Sequence, residues 1–164
     1  MYWLSNKIIW IPLYIYFFYL AFKKVGNRVW LATIAVAILI LLSDQLSVHA
    51  FKDVFLRYRP CHNLLIQSKV HLLNNHCGGM YGFISSHAAN TFALAMFLSL
   101  LFKNKIKYFK LFIFIWASLV SYSRIYSGVH YPADVAVAAI LGMGLGVMVF
   151  KMYQYANSRL GIIK

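Results

Sequence analysis

Five apolar runs, separated by short polar or basic connections, constrain this chain more than any other feature of its sequence. They cover residues 8–22, 29–50, 88–102, 111–122 and 133–150. A membrane-spanning helix needs about 20 mostly apolar residues; the second and fifth runs reach this length, and the others do so with their flanking aromatic residues and lysines. Because an open sheet cannot satisfy its backbone in hydrocarbon, we predict an all-α polytopic bundle of about five transmembrane helices. The alternative for the fourth run is a buried core helix.

The composition supports a membrane protein and narrows the chemistry. Hydrophobic residues make up 62% of the 164-residue chain and charged residues 12%, against about 45–50% and 25% in soluble domains. The length suits a single domain over residues 1–164. The net charge of +13 comes from residues between the apolar runs, not along one exposed face, so we expect no nucleic-acid partner. The acidic residues are only Asp44, Asp53 and Asp134, too few and too scattered for a magnesium or calcium site, so we expect metal-free chemistry without a cofactor.

The basic residues alternate between the two sides of the predicted bundle. One side receives ten of the sixteen: Lys23, Lys24, Arg28, Lys103, Lys105, Lys107, Lys110, Lys151, Arg159 and Lys164. The positive-inside rule makes that side cytoplasmic. The N-terminus and the segment 51–87 would then face outward, which predicts a multi-pass protein of a bacterial inner membrane with its outward loops in the periplasm or exterior.

Cys61 and Cys77 are the only cysteines, and both fall in the predicted outward segment. In an oxidising compartment they would form a disulfide that stabilises the fold by roughly 3 kcal/mol. A zinc site that also uses His62 or His76, or two free thiols, are the alternatives.

Three polar clusters interrupt the apolar pattern, all at the predicted outward ends of helices. The first contains Lys52, Arg59 and Pro60. Lys52 and Arg59 are seven residues apart, which places them on one face of a helix that Pro60 would end. Two cations on one face suit an anion, although basic residues beside a span usually extend to lipid headgroups.

The second cluster is Ile84-Ser85-Ser86-His87, directly before the third apolar run. Either serine is a suitable N-cap, and a helix N-terminus offers free amides to a phosphate. His87 follows where it can transfer a proton. A plain capping sequence with an interfacial histidine is the competing interpretation.

The third cluster, residues 123–134, joins the fourth run to the fifth. Pro132 suits the first helical turn, which also places Asp134 in that turn. The Asp134 carboxylate can accept a hydrogen bond from one nitrogen of His130, leaving the other nitrogen free to attack. Arg124 can hold two phosphate oxygens. Together the clusters predict a phosphoryl-transfer site.

The spacings Lys-x6-Arg-Pro, Ser-x-His and Ser-Arg-x5-His-x3-Asp resemble the three motifs of the type 2 phosphatidic acid phosphatase superfamily. The resemblance covers about residues 44–150. One departure is Ile84-Ser85-Ser86-His87, where the family usually has Pro-Ser-Gly-His; no charged group is lost, so we expect an active enzyme.

The resemblance implies a phosphohistidine mechanism. His130 attacks phosphorus, Asp134 orients it, and His87 protonates the leaving oxygen before activating water. Phosphate oxygens would be bound by Lys52, Arg59, Ser85, Ser86 and Arg124.

We therefore expect a metal-independent lipid phosphatase without an obligatory protein partner. Undecaprenyl diphosphate is the favoured substrate, and lipid A phosphate and phosphatidylglycerophosphate are alternatives. A lipid phosphotransferase is a second enzyme class, and a non-catalytic transporter or assembly subunit is a third reading, disfavoured by the absence of paired repeats. Asp44, inside the second run, is either a functional group beneath the site or a polar contact between helices.

Overall fold

The computed structural model describes residues 2–72, 77–103 and 106–161. Within them the chain is all-helical, and its only β pairing is an isolated bridge between Tyr58 and Tyr81. The predicted fold class is confirmed to this extent. His76, Lys105 and Lys164 lie outside the described residues.

Each of the five apolar runs forms a helix. A short helix, Tyr2–Ser5, and a 3-10 turn, Lys7–Trp10, lead into α1. The five long helices are α1 (Ile11–Val25), α2 (Val29–Gln45), α3 (Ser86–Leu101), α4 (Phe109–Tyr126) and α5 (Pro132–Arg159). Beyond Gln45, α2 continues as a π-helical segment, Leu46–Lys52, and ends with Asp53–Phe55. Short 3-10 turns at Pro60–His62 and Gln67–Lys69 lie in the segment before α3.

The chain reverses between α1 and α2 at the 3-10 turn Gly26–Arg28. Gly26 has φ +62°, a left-handed conformation that glycine adopts without a side-chain clash. Trp10 contacts Trp116 and Phe17 contacts Phe109, so α1 runs antiparallel to α4. These edge-to-face aromatic pairs join α1 to the bundle.

Helices α3 and α5 pack against each other closely because small residues line their contact. A Cβ on Gly142 would collide with the carbonyl oxygen of Ala89, and one on Gly146 would lie 2.7 Å from that of Ala93. Gly142 and Gly146 are four residues apart, the small-residue spacing by which helices in membranes approach. Since α3 begins at Ser86 and α5 at Pro132, this contact brings the second and third polar clusters to the same end of the bundle.

Apolar side chains fill the interior and also cover the outside. Leu39, Phe97 and Ile113 are fully buried, whereas Ile140 is 69% and Leu111 60% exposed. Two stretches, Ile8–Phe55 and Pro132–Arg159, are long and apolar enough to cross a membrane, and Ser86–Leu101 is a shorter apolar helix. That about five helices span the bilayer stays a prediction.

Candidate active site

His130 and Asp134 form a buried pair at the start of α5. Pro132 occupies the first turn of this helix, as predicted, and Tyr131 before it is extended with ψ 155°. The Oδ2 atom of Asp134 accepts a hydrogen bond from the Tyr131 backbone amide at 2.9 Å, which fixes the carboxylate. The Nδ1 atom of His130 lies 3.6 Å from the same oxygen, slightly beyond hydrogen-bond length. Asp134 is fully buried and His130 is 3% exposed.

The other nitrogen of His130 faces cations. Its Nε2 atom lies 3.4 Å from Nη1 of Arg59. Burial lowers the pKa of His130 below its ordinary value; the Asp134 carboxylate acts to raise it, and the charges of Arg59 and Arg124 lower it further. The imidazole is therefore kept neutral to lower pH, with its Nε2 lone pair on the side of the cations.

Two guanidinium groups beside His130 carry donors that the protein does not use. The Nε atoms of Arg59 and Arg124 are buried, and neither has a hydrogen-bond partner in the part of the chain that the structure describes. Burial lowers the pKa of Arg59, and the Asp134 carboxylate opposes this shift. Because buried donors without acceptors are costly, this arrangement favours binding of an anion with several oxygens, such as phosphate.

Lys52 and Arg59 reach this site by a different route from the one predicted. The α-helical face expected to carry both residues does not exist, because the backbone is π-helical through Lys52 and the helix ends at Phe55. Leu56 then adopts a left-handed conformation with φ +47°, and Arg59 is extended. Pro60 does not end the helix but begins the 3-10 turn Pro60–His62. Both cations nevertheless line the same cavity as His130.

The two serines of the second cluster have different partners. Ser85 is the N-cap of α3, and its Oγ accepts from the Ala88 amide at 3.5 Å. The Oγ atom of Ser86 accepts a hydrogen bond from Nζ of Lys52 at 2.7 Å. His87 lies in the first turn of α3 and lines the cavity with Lys52 and His130.

Arg57, to which the sequence analysis assigned no role in the site, contacts the buried pair directly. Its Nη1 donates to Oδ1 of Asp134 at 3.0 Å, and its guanidinium lies 4.2 Å from the centre of the Tyr131 ring. No local sequence signal indicates the contact with Asp134, because the two residues are 77 positions apart in the chain.

The segment that follows Arg59 is closed by a disulfide between Cys61 and Cys77, whose Cα atoms are 6.0 Å apart. The Arg59 amide donates to the Met80 carbonyl at 3.1 Å, and a Cβ on Gly82 would lie 2.9 Å from Cγ of Arg59. Residues 80–82 therefore pack against Arg59. Cys61, His62 and Cys77 are also close enough to hold a metal ion, their ligand atoms lying within 4.8 Å of one another; that would require the thiols to be reduced.

A cavity of about 700 Å³ extends from these residues into the bundle. Its polar end, which we call its mouth, is lined by Lys52, Arg59, His87, Arg124 and His130. It continues past Phe97 to Ala32 and Leu101, and from Ser86 to Leu101 the helical rise corresponds to a depth of about 22 Å. The deep part is mainly apolar, so one cavity joins an anion site to a hydrocarbon-like interior.

The buried His–Asp pair supplies a nucleophile, and the guanidinium donors without partners supply an anion site. Together, at one end of an all-helical bundle, they define a membrane enzyme that transfers phosphoryl groups. The chain belongs to the PAP2 superfamily, whose family model matches residues 31–158. The resemblance seen in the three motifs is thereby confirmed.

Two relatives and one solved structure are similar to the chain. The lipid A 4'-phosphatase of Porphyromonas gingivalis is 39% identical over 96% of this chain, and that of Bacteroides thetaiotaomicron is 37% identical over 89%. The chain spans 66% and 64% of the lengths of these two proteins. The crystal structure of Aquifex aeolicus LpxE superimposes with a TM-score of 0.61 at 26% identity, over 90% of this chain and 79% of that one.

Proposed function

We propose that the protein is a lipid phosphatase that removes a phosphate group from a lipid A-type substrate through a phosphohistidine at His130. The observation that carries the proposal is the placement of the His130 ring at the mouth of an apolar cavity. Its Nδ1 faces a buried carboxylate, and its Nε2 faces Arg59, whose Nε donor, like that of Arg124, has no partner among the described residues. The phosphate would bind the cations while an acyl chain enters the cavity.

In the first step, Nε2 of His130 attacks phosphorus and the bond from phosphorus to the lipid oxygen breaks. His87 gives its proton to that oxygen, and Asp134 stabilises the resulting imidazolium. Lys52, Arg59 and Arg124 neutralise the phosphoryl oxygens, Ser86 positions Lys52, and backbone amides at the start of α3, which Ser85 caps, donate hydrogen bonds. In the second step, His87 removes a proton from water, the water oxygen attacks phosphorus, and the bond to Nε2 breaks to release phosphate. No metal is needed in either step.

The relatives change the order of candidate substrates. Undecaprenyl diphosphate was favoured from the sequence, but both curated relatives are named as lipid A 4'-phosphatases. The depth and apolar lining of the cavity suit an acyl chain. We therefore place lipid A phosphate ahead of undecaprenyl diphosphate and phosphatidylglycerophosphate.

The distribution of basic residues supports a site on the outer side of a bacterial inner membrane. The α1–α2 turn and the α3–α4 connection, at the end opposite His130, carry Lys23, Lys24, Arg28, Lys103 and Lys107. By the positive-inside rule this end is cytoplasmic, and the site faces the periplasm or exterior.

The test is phosphate release by the full chain in detergent from lipid A, undecaprenyl diphosphate and phosphatidic acid, each with and without a chelator. We expect lipid A to be the best substrate, with release of inorganic phosphate unaffected by chelator. His130→Ala should abolish release while its thermal unfolding midpoint stays near that of the wild type. Near-normal turnover by this variant would refute the phosphohistidine, and transfer of the phosphate to a second lipid would indicate a phosphotransferase.

A further inference from the structure

The cavity contains polar groups that the phosphatase mechanism does not use. Thr33 and Thr91 line it, but each hydroxyl donates to a backbone carbonyl of its own helix, at 2.9 Å in both cases. Asp44 and Asn90 differ. The Oδ1 atom of Asn90 is buried without a hydrogen-bond partner among the described residues. Asp44 is half-buried and lines the cavity; its carboxylate interacts electrostatically with Lys52 but makes no hydrogen bond to a described residue.

These two groups lie deeper than the phosphate-binding residues. Asn90 is four residues after Ser86, one helical turn further into the bundle, and faces the cavity together with Ser86 and Leu94. On the opposite wall, Asp44, Val48 and Lys52 line the cavity at four-residue spacing. A lipid whose phosphate contacts Lys52 and Arg59 would therefore place its next few bonds beside Asn90 and Asp44.

Both groups can accept hydrogen bonds, and hydrocarbon offers them no donor. An apolar chain that covered the Asn90 amide and the half-buried Asp44 carboxylate would exclude water from their acceptor atoms and leave them unsatisfied, which is costly. A polyprenyl diphosphate and phosphatidic acid carry no N–H or hydroxyl donor between the phosphate and the hydrocarbon. An acylated amino sugar phosphate carries an amide N–H close to the phosphate ester.

We propose that Asp44 and Asn90 form an acceptor site that selects lipids with an amide N–H or hydroxyl group near the phosphate ester. This inference rests on the proposed function and deepens it, because it assigns the preference for amino-sugar lipids to two residues outside the three motifs. The site excludes simple glycerolipids and polyprenyl lipids by leaving the two acceptors unpaired.

The test uses two synthetic acylated sugar phosphates that differ only at C2, where the acyl chain is joined by an amide (glucosamine) or by an ester (glucose). The specificity ratio is kcat/KM for the amide lipid divided by kcat/KM for the ester lipid. We expect this ratio to fall about 10- to 100-fold in Asn90→Leu and in Asp44→Leu. Asp44→Asn keeps an acceptor oxygen and should retain most of the preference. Ser99→Ala is the matched control, because Ser99 lies on α3 outside the cavity and its hydroxyl donates to the Met96 carbonyl.

Binding separates this inference from the proposed function. Trp10 and Trp116 line the cavity, so intrinsic tryptophan fluorescence can report titration with the dephosphorylated forms of the same two lipids. If the wild type hydrolyses neither lipid, the proposed function fails, and the ratio of dissociation constants in wild type and Asn90→Leu still decides the inference. Equal changes for amide and ester lipids in both leucine variants, or a wild type that binds both lipids equally, would overturn it.

Discussion

The site is assembled from two kinds of backbone. Ser85 to His87 and His130 to Asp134 lie at regular helix starts, where caps and a proline determine the local conformation. Lys52 to Arg59 instead pass through a π-helical segment, a left-handed residue and an extended stretch. Both regions contribute to the same cavity mouth.

The difference corresponds to a division of roles. The groups proposed to form and break bonds are held at helix starts, where side-chain caps hydrogen-bond to backbone amides. Two of the three proposed phosphate-binding cations, Lys52 and Arg59, lie on irregular backbone, and their positions depend on Ser86 and Met80. The third, Arg124, lies in the last turn of α4. Substitutions of residues at the helix starts, such as Asp134, should therefore mainly reduce kcat. Substitutions in the irregular segment, such as those of Arg59, should also raise KM.

Asp134→Asn should give the largest effect among substitutions that test this division. An amide at this position can no longer orient His130 as a carboxylate does, so we expect kcat to fall on the order of 10³- to 10⁴-fold. The carboxylate raises the pKa of His130, so its loss lowers that pKa, and the acid limb of kcat/KM should move to lower pH. A pH–rate profile measures both effects. An acid limb that moves to higher pH would contradict the assignment of His130 as the group that must be neutral.

Arg59→Gln should give the next largest effect and the opposite pH shift. Losing a charge-assisted contact to phosphate should lower kcat/KM about 100-fold, with part of the loss in KM. Because the charge of Arg59 lowers the pKa of His130, its removal raises that pKa and moves the acid limb to higher pH. Lys69→Gln removes an exposed cation and serves as the control. Equal pH profiles for Arg59→Gln and wild type would show that Arg59 does not act on His130.

Arg57→Gln tests whether a residue of the irregular segment supports catalysis by holding Asp134 at the start of α5. Its guanidinium donates to Asp134 rather than pointing to the cavity, so we expect a loss of about 10- to 30-fold in kcat with KM nearly unchanged. Arg57→Lys keeps a charge and should recover part of the rate. A change confined to KM would place Arg57 among the phosphate-binding cations instead.

The contrast between helix starts and irregular backbone also explains which parts of the molecule could be predicted from the sequence. The N-cap at Ser85 and the helix start at Pro132 and Asp134 follow from residues within one turn, and these local predictions are confirmed. The predicted helical path of residues 52–59 was wrong, because the actual path depends on contacts with residues far along the chain, such as that of the Arg59 amide with the Met80 carbonyl. Arg57 and Asp134 are 77 residues apart, and no local pattern indicates their pairing.

Ser86→Gly should give the smallest effect. It removes the hydrogen bond between Lys52, in the irregular segment, and Ser86, at the start of α3. Glycine is the residue usual at this position in the family motif, and here the Ser86 hydroxyl accepts a hydrogen bond from Lys52. Removing the hydroxyl leaves the Lys52 ammonium free to bind phosphate but less well positioned, so we expect kcat/KM to change about two- to fivefold. Lys52→Met should cost more than Ser86→Gly, and the double variant should resemble Lys52→Met alone because the serine would act through the lysine. Additive losses in the double variant would mean that Ser86 contacts phosphate independently of Lys52.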